Sequence, residues 1–157
     1  DHANDEQVAS LFEQVEREQG RLDILVNNAI AIPDEMTQPG GFWEKPISNW
    51  EMIDVGLRSN FVAAWHAARL MVPRKSGLIV ALSGYVGVKY TYSVIFGTCK
   101  TATDRMARDM AIEIAVGDIV DTAARAARQY RAENEHRQQM PAWETIGRDP
   151  QRRQRRP

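Results

Sequence analysis

The sequence predicts an α/β fold: part of a doubly wound parallel sheet, with a helical or disordered C-terminal extension. Three observations predict it. Two short apolar runs, Leu22–Val26 and the continuous Leu78–Leu82, have the look of strands of a parallel sheet. The segments around them carry the 3–4 apolar spacing of helices. Their order is helix, strand, helix, strand, helix, the rhythm of a parallel sheet with helical crossovers.

The elements follow in turn. Asp5 to Gln19 reads as a helix, with Val8, Leu11, Phe12 and Val15 on one face. Acids crowd its first turn, where the helix dipole favours them, and Gly20 ends it. Asn27-Asn28 breaks the first strand. Pro33, Pro39, Gly40, Gly41 and Pro46 make 30–47 a loop. Ser48-Asn49-Trp50-Glu51 has the form of a capping box and opens a long helix. Trp50, Ile53, Leu57, Phe61, Ala64, Ala68 and Met71 keep one helical period until Pro73 stops it. The unit from Leu22 through Leu82 is then one right-handed βαβ crossover. Val94 to Ala115 is the third helix.

Two strands alone leave open edges, which favours self-association. Asp118-Ile119-Val120-Asp121 is too short and too charged to add a strand. Residues 121–139 predict a weak, solvated helix. The end of the chain, Arg148 to Pro157, is low in complexity and reads as disordered.

Composition bounds the function. A chain of 157 residues, 43% apolar and 26% charged, suits one soluble domain rather than a fibrous or disordered chain. No apolar run approaches the ~20 residues of a membrane span. No secretory leader layout opens the sequence, and it begins on Asp1 rather than Met, so its start need not be the start of its gene. The single cysteine, Cys99, fits a reducing compartment, and the expected location is cytoplasmic. Positions 1–120 hold 11 basic and 16 acidic residues, a charge of −5; positions 121–157 hold nine arginines and five acids, a charge of +4. That basic end lacks interleaved aromatics or a folded recognition motif, so a solvated tail is expected rather than a nucleic-acid site. His2, His66 and His136 are scattered, and no metal site is expected.

Several blocks, taken in order, resemble the short-chain dehydrogenase/reductase family. They are Leu11-Phe12-Glu13-Gln14-Val15, Arg21 through Ala29, Phe42-Trp43-Glu44, Arg69-Leu70-Met71-Val72-Pro73 and Phe96-Gly97-Thr98-Cys99-Lys100. The resemblance implies a partial Rossmann-like NAD(P)-binding domain over 1–118, followed by the weak helix and Arg-rich tail over 119–157. It implies NAD or NADP as cofactor and a small carbonyl or alcohol as hydride partner. It places Asp1 at the end of the family's third strand, against the adenine. Asn27 and Ala29 fall in the Asn-Asn-Ala-Gly segment beside the adenosine, with Ile30 in place of the glycine. The family's phosphate-seating glycine turn would lie upstream of Asp1, and its Pro-Gly segment after the sixth strand has no counterpart.

The family's Tyr-x-x-x-Lys pair uses the tyrosine hydroxyl to pass a proton while the lysine lowers its pKa and binds the ribose. Here Lys100 is intact and Phe96 stands at the tyrosine position, without a proton to give. The family's serine aligns with Gly84, and Ser83 sits one residue away. A further active-site asparagine of the family aligns with Gly56. Tyr85, Tyr90 and Tyr92 are other phenols, none four residues before a lysine on a helix. The residues alone also allow plainer roles, with Phe96 and Cys99 as core and Lys100 as a solvated lysine.

The functional expectation is therefore an NAD(P)-dependent short-chain oxidoreductase, inactive as written. The alternatives are a non-catalytic interaction module and a truncated or frame-shifted gene product.

Overall fold

Asn4 caps the first helix of the computed structural model, its side-chain oxygen accepting the Gln7 N–H at 3.0 Å. The structure describes residues 1–115. The expected boundary at 118, the weak helix over 121–139 and the Arg-rich end lie outside the described residues.

Helix α1, Asp5–Gln19, has the expected bounds, and Gly20 closes it in the left-handed conformation at φ +68°. Its buried face is narrower than expected: Val8 and Phe12 are buried, whereas Leu11 is exposed. Strand β1 is Ile24–Asn27 and pairs in parallel with β2, Leu78–Ala81, in the register Ile24↔Leu78 to Asn27↔Ala81. Both expected strands shift slightly. Leu22 is instead spent on Arg74, whose Nη1 donates to its carbonyl at 3.1 Å. Asn27, expected to break the strand, belongs to it, because its carbonyl accepts the Leu82 N–H at 2.9 Å.

The long helix differs more. It runs as α2, Glu51–Ile53, then a π turn, Asp54–Arg58, then α3, Ser59–Met71. Ser48 caps nothing, since it lies inside a 3₁₀ turn, Ile47–Trp50, that leads into α2. The extra residue of the π turn rotates the faces on its two sides relative to one another. Trp50, in the 3₁₀ turn, and Phe61, beyond the π turn, point outward, at 53% and 49% exposure. The buried stripe is Met52, Gly56, Asn60, Ala64, Ala67 and Met71. Pro73 does stop the helix, in a 3₁₀ turn, Val72–Arg74. Helix α4, described over Val94–Ala115, begins where expected, and Ser93 Oγ accepts the Phe96 N–H at 3.1 Å to start it.

The loop over 30–47 is organised by short 3₁₀ turns, Asp34–Thr37 and Phe42–Glu44. Lys45 gathers it. Its Nζ donates to the carbonyls of Glu35 at 3.0 Å, of Gln38, and of Pro39 at 3.3 Å. Met36 from this loop is buried.

Two apolar clusters result. One joins Val8, Phe12, Ala67 and Met71, with Leu22, Leu25 and Ile79 against them. The other joins Met36, Met52 and Cys99, with Ile30, Ile53, Leu57 and Phe96. Leu25 is packed while Ile24 and Val26 are 59% and 56% exposed, so alternate residues of β1 face an uncovered side. Among the described residues, no helix is long and apolar enough to cross a membrane.

Candidate active and cofactor site

The C-terminal ends of β1 and β2 stand side by side, where parallel α/β sheets bind their ligands. Two of the expected site residues meet there through α4. Lys100 is 8% exposed, and its Nζ donates to the Leu82 carbonyl at 2.9 Å. Ser83 Oγ donates to the Lys100 carbonyl at 3.3 Å. The end of β2 is thus tied to the helix at both the side chain and the backbone of Lys100. The solvated lysine that spacing alone allows is excluded.

Phe96 lies one turn earlier on α4, half-buried in the cluster of Met36, Met52 and Cys99. Its ring centre is 6.0 Å from that of Tyr92, tilted by 39°. The residue therefore acts as core, and its ring carries no group that could donate or accept a proton.

Across the sheet, Asn27 is buried, and its Nδ2 donates to the Asn60 carbonyl at 2.8 Å. Ala29 is half-buried, its carbonyl 3.5 Å from Asn60 Nδ2. Asp1 stands apart from these residues. It is exposed ahead of α1, and its carboxylate accepts the Ala3 N–H at 2.9 Å.

Asn60 is the residue that sequence reasoning missed. It is 2% exposed, and its Nδ2 also donates to the Gly56 carbonyl at 2.7 Å. The available signal was a polar pair, Ser59-Asn60, in an otherwise apolar helical stretch.

Gly56 leaves no room for the asparagine aligned with it. A Cβ there would lie 2.9 Å from Cys99 Sγ and 3.0 Å from Ile30 Cγ1. Cys99 is fully buried, and that burial pushes its thiol pKa up, only partly offset by the Lys100 charge and a Thr103 hydrogen bond. It is a core cysteine.

Tyr85 opens a short 3₁₀ turn, Tyr85–Gly87, and its carbonyl accepts the Lys89 N–H at 3.1 Å. This gives Tyr85 helical spacing to Lys89, which had been read as loop. Both side chains are exposed, and no hydrogen bond among the described residues joins them.

The residues fit a dinucleotide in part. An ammonium has three donors, and Leu82 takes one from Lys100, leaving donors for ribose hydroxyls. Asn27 shapes the strand end rather than reaching out of it.

Comparison with known proteins agrees with this geometry. The human dehydrogenase/reductase SDR family member 1 (Homo sapiens) is 46% identical over 118 residues, 73% of this chain and 38% of that protein. The chain therefore spans under two fifths of that relative's length. A tyrosine-to-phenylalanine variant of ElxO with NADPH bound superposes with a TM-score of 0.69 at 28% identity, over 76% of this chain and 47% of that one. ElxO with NADP bound gives a TM-score of 0.69 at 27% identity, over the same shares. The family model described as short chain dehydrogenase matches residues 1–128, running past position 118. With a parallel sheet, a lysine turn docked on its second strand and a family match over most of its length, the chain belongs to the short-chain dehydrogenase family.

Proposed function

We propose that this chain is the central part of a short-chain oxidoreductase site that holds NAD or NADP but has lost its proton donor. The observation that carries this reading is Phe96, one helical turn before the buried Lys100. Bound nicotinamide would supply or take the hydride exchanged with a carbonyl or alcohol. Lys100 would bind the ribose through the donors that Leu82 does not use, and Asn27 and Ala29 would form the adenosine-side wall. For Asp1 the adenine role rests on the family alignment.

The step that fails is the proton transfer. Reducing a carbonyl places negative charge on its oxygen, which needs a proton from a positioned acid. Phe96 offers none. Ser83, whose hydroxyl donates to the Lys100 carbonyl, can donate to a substrate oxygen only by breaking that bond. Losing general acid help costs typically 10²–10⁴-fold in rate. The ElxO variant with NADPH bound supports the view that phenylalanine for tyrosine is compatible with holding a dinucleotide.

The test is turnover of NADH and NADPH against a panel of aldehydes and ketones, beside direct binding of each cofactor. Binding without turnover above a Lys100→Ala control is expected. Turnover above that control refutes the loss of activity, and no binding by the chain refutes the cofactor assignment.

A second reading rests on Ile24 and Val26, the exposed apolar side of β1. That side and the sheet edges would pair with another copy, giving a non-catalytic association module. Mass in solution checks it: Ile24→Lys should lower the mass if copies pair there. We place the protein in the cytoplasm, on the single, buried Cys99.

A further inference from the structure

We propose that Asn60 is a positioning residue that sets the backbone of the Asn27–Ile30 segment, the cofactor side of the site. This rests on the reading above. Its carboxamide is 2% exposed, a costly place for a polar group unless it is bonded. The bonds it makes converge on one junction. Nδ2 donates to the Gly56 carbonyl at 2.7 Å and reaches the Ala29 carbonyl at 3.5 Å. The Asn60 carbonyl in turn accepts Asn27 Nδ2 at 2.8 Å. The end of β1 is therefore held twice by one residue of the helix, once at Asn27 and once at Ala29.

The π turn makes this possible. It spans Asp54–Arg58, and a π turn frees carbonyls from the regular helical pattern. Asn60 side-chain donation then satisfies Gly56, a buried position. Gly56 itself cannot reach the strand end, because Cys99 and Ile30 fill the space where its side chain would begin. The buried amide of this stretch stands at position 60, one turn beyond Gly56. An apolar residue at 60 would remove the side-chain bonds to the Gly56 and Ala29 carbonyls.

The experiment compares Asn60→Leu and Asn60→Asp with Phe12→Leu, which weakens the other cluster. Two readouts are taken on each full-length chain: amide hydrogen exchange over residues 28–32 and affinity for NADPH. In Asn60→Leu, exchange over 28–32 should quicken about tenfold and NADPH affinity should fall about tenfold, the scale of one lost buried hydrogen bond. Asn60→Asp keeps the shape but brings no donor to Gly56, and should behave likewise. Phe12→Leu should lower stability without a selective change at 28–32. Wild-type exchange over 28–32 in Asn60→Leu, or an equal change in Phe12→Leu, overturns the proposal. If the unchanged chain binds no NADPH, the cofactor reading falls while the exchange comparison still decides the role of Asn60.

Discussion

The two apolar clusters are built on different principles. Val8 and Phe12 of α1 meet Ala67 and Met71 of α3 as plain side chains on a helical face, with the strands beneath them. The cluster of Met36, Met52 and Cys99 is three sulfur side chains, one of them from a loop, beside a bare glycine, Gly56. Beside it lie the π turn and the paired amides of Asn27 and Asn60. The first cluster is generic and would tolerate volume-conserving exchange. The second includes Ile30 and Phe96 and lies against Gly56. These residues fit one another. Ile30 and Cys99 occupy space that a side chain at 56 would need, and Phe96 packs against the same sulfur atoms.

The contrast can be broken by substitution. Phe12→Ala should cost the most, about 3–5 kcal/mol, because it empties the centre of the plain cluster. Urea unfolding followed by circular dichroism reads it, and a loss under 1 kcal/mol would mean that Phe12 is not central. Gly56→Asn should cost about 1–3 kcal/mol through overpacking. Combined with Cys99→Ala, it should cost less than the two single changes added together, since one clash is relieved. Strict additivity would show that Cys99 does not bound the space at position 56.

Thiol labelling is a finer probe. The raised pKa and full burial of Cys99 predict slow reaction with an aromatic disulfide reagent near neutral pH, and fast reaction in urea. Fast labelling of the folded chain would place Cys99 at the surface. The smallest effect lies outside both clusters. Arg58 donates to both Asp5 carboxylate oxygens, at 2.6 and 2.5 Å, and that bonding lowers the Asp5 pKa. A depressed carboxylate stabilises the fold above its ordinary pKa, and the gain is lost as pH falls through the lowered folded value. Asp5→Asn should therefore slightly flatten the loss of thermal stability below pH 4. Both side chains are about half exposed, so salt should shrink the difference.

The elements were legible where a single physical rule controlled them. Helix α1 begins and ends, and α4 begins, at expected residues because Asn4, Gly20 and Ser93 act locally. The turn of α4 that bears Phe96 and Lys100 was readable from spacing and family likeness. The long helix was misread because an inserted π residue changes the phase without any mark in composition. Trp50 and Phe61 were placed inside, and Asn60 was overlooked. The burial of Lys100 was not readable either, since its partner is the backbone carbonyl of Leu82, and sequence patterns say little about which carbonyl a lysine will find.

Lys45, with its ammonium among the carbonyls of Glu35, Gln38 and Pro39, has a consequence for how the loop over 30–47 responds to its surroundings. Carbonyl oxygens gathered around one positive charge are the arrangement by which many loops grip calcium. Here the ion is covalently part of the chain. The contacts that gather these carbonyls are made by the chain's own ammonium. Acylating that one amine would do to this loop what chelation does to a calcium loop.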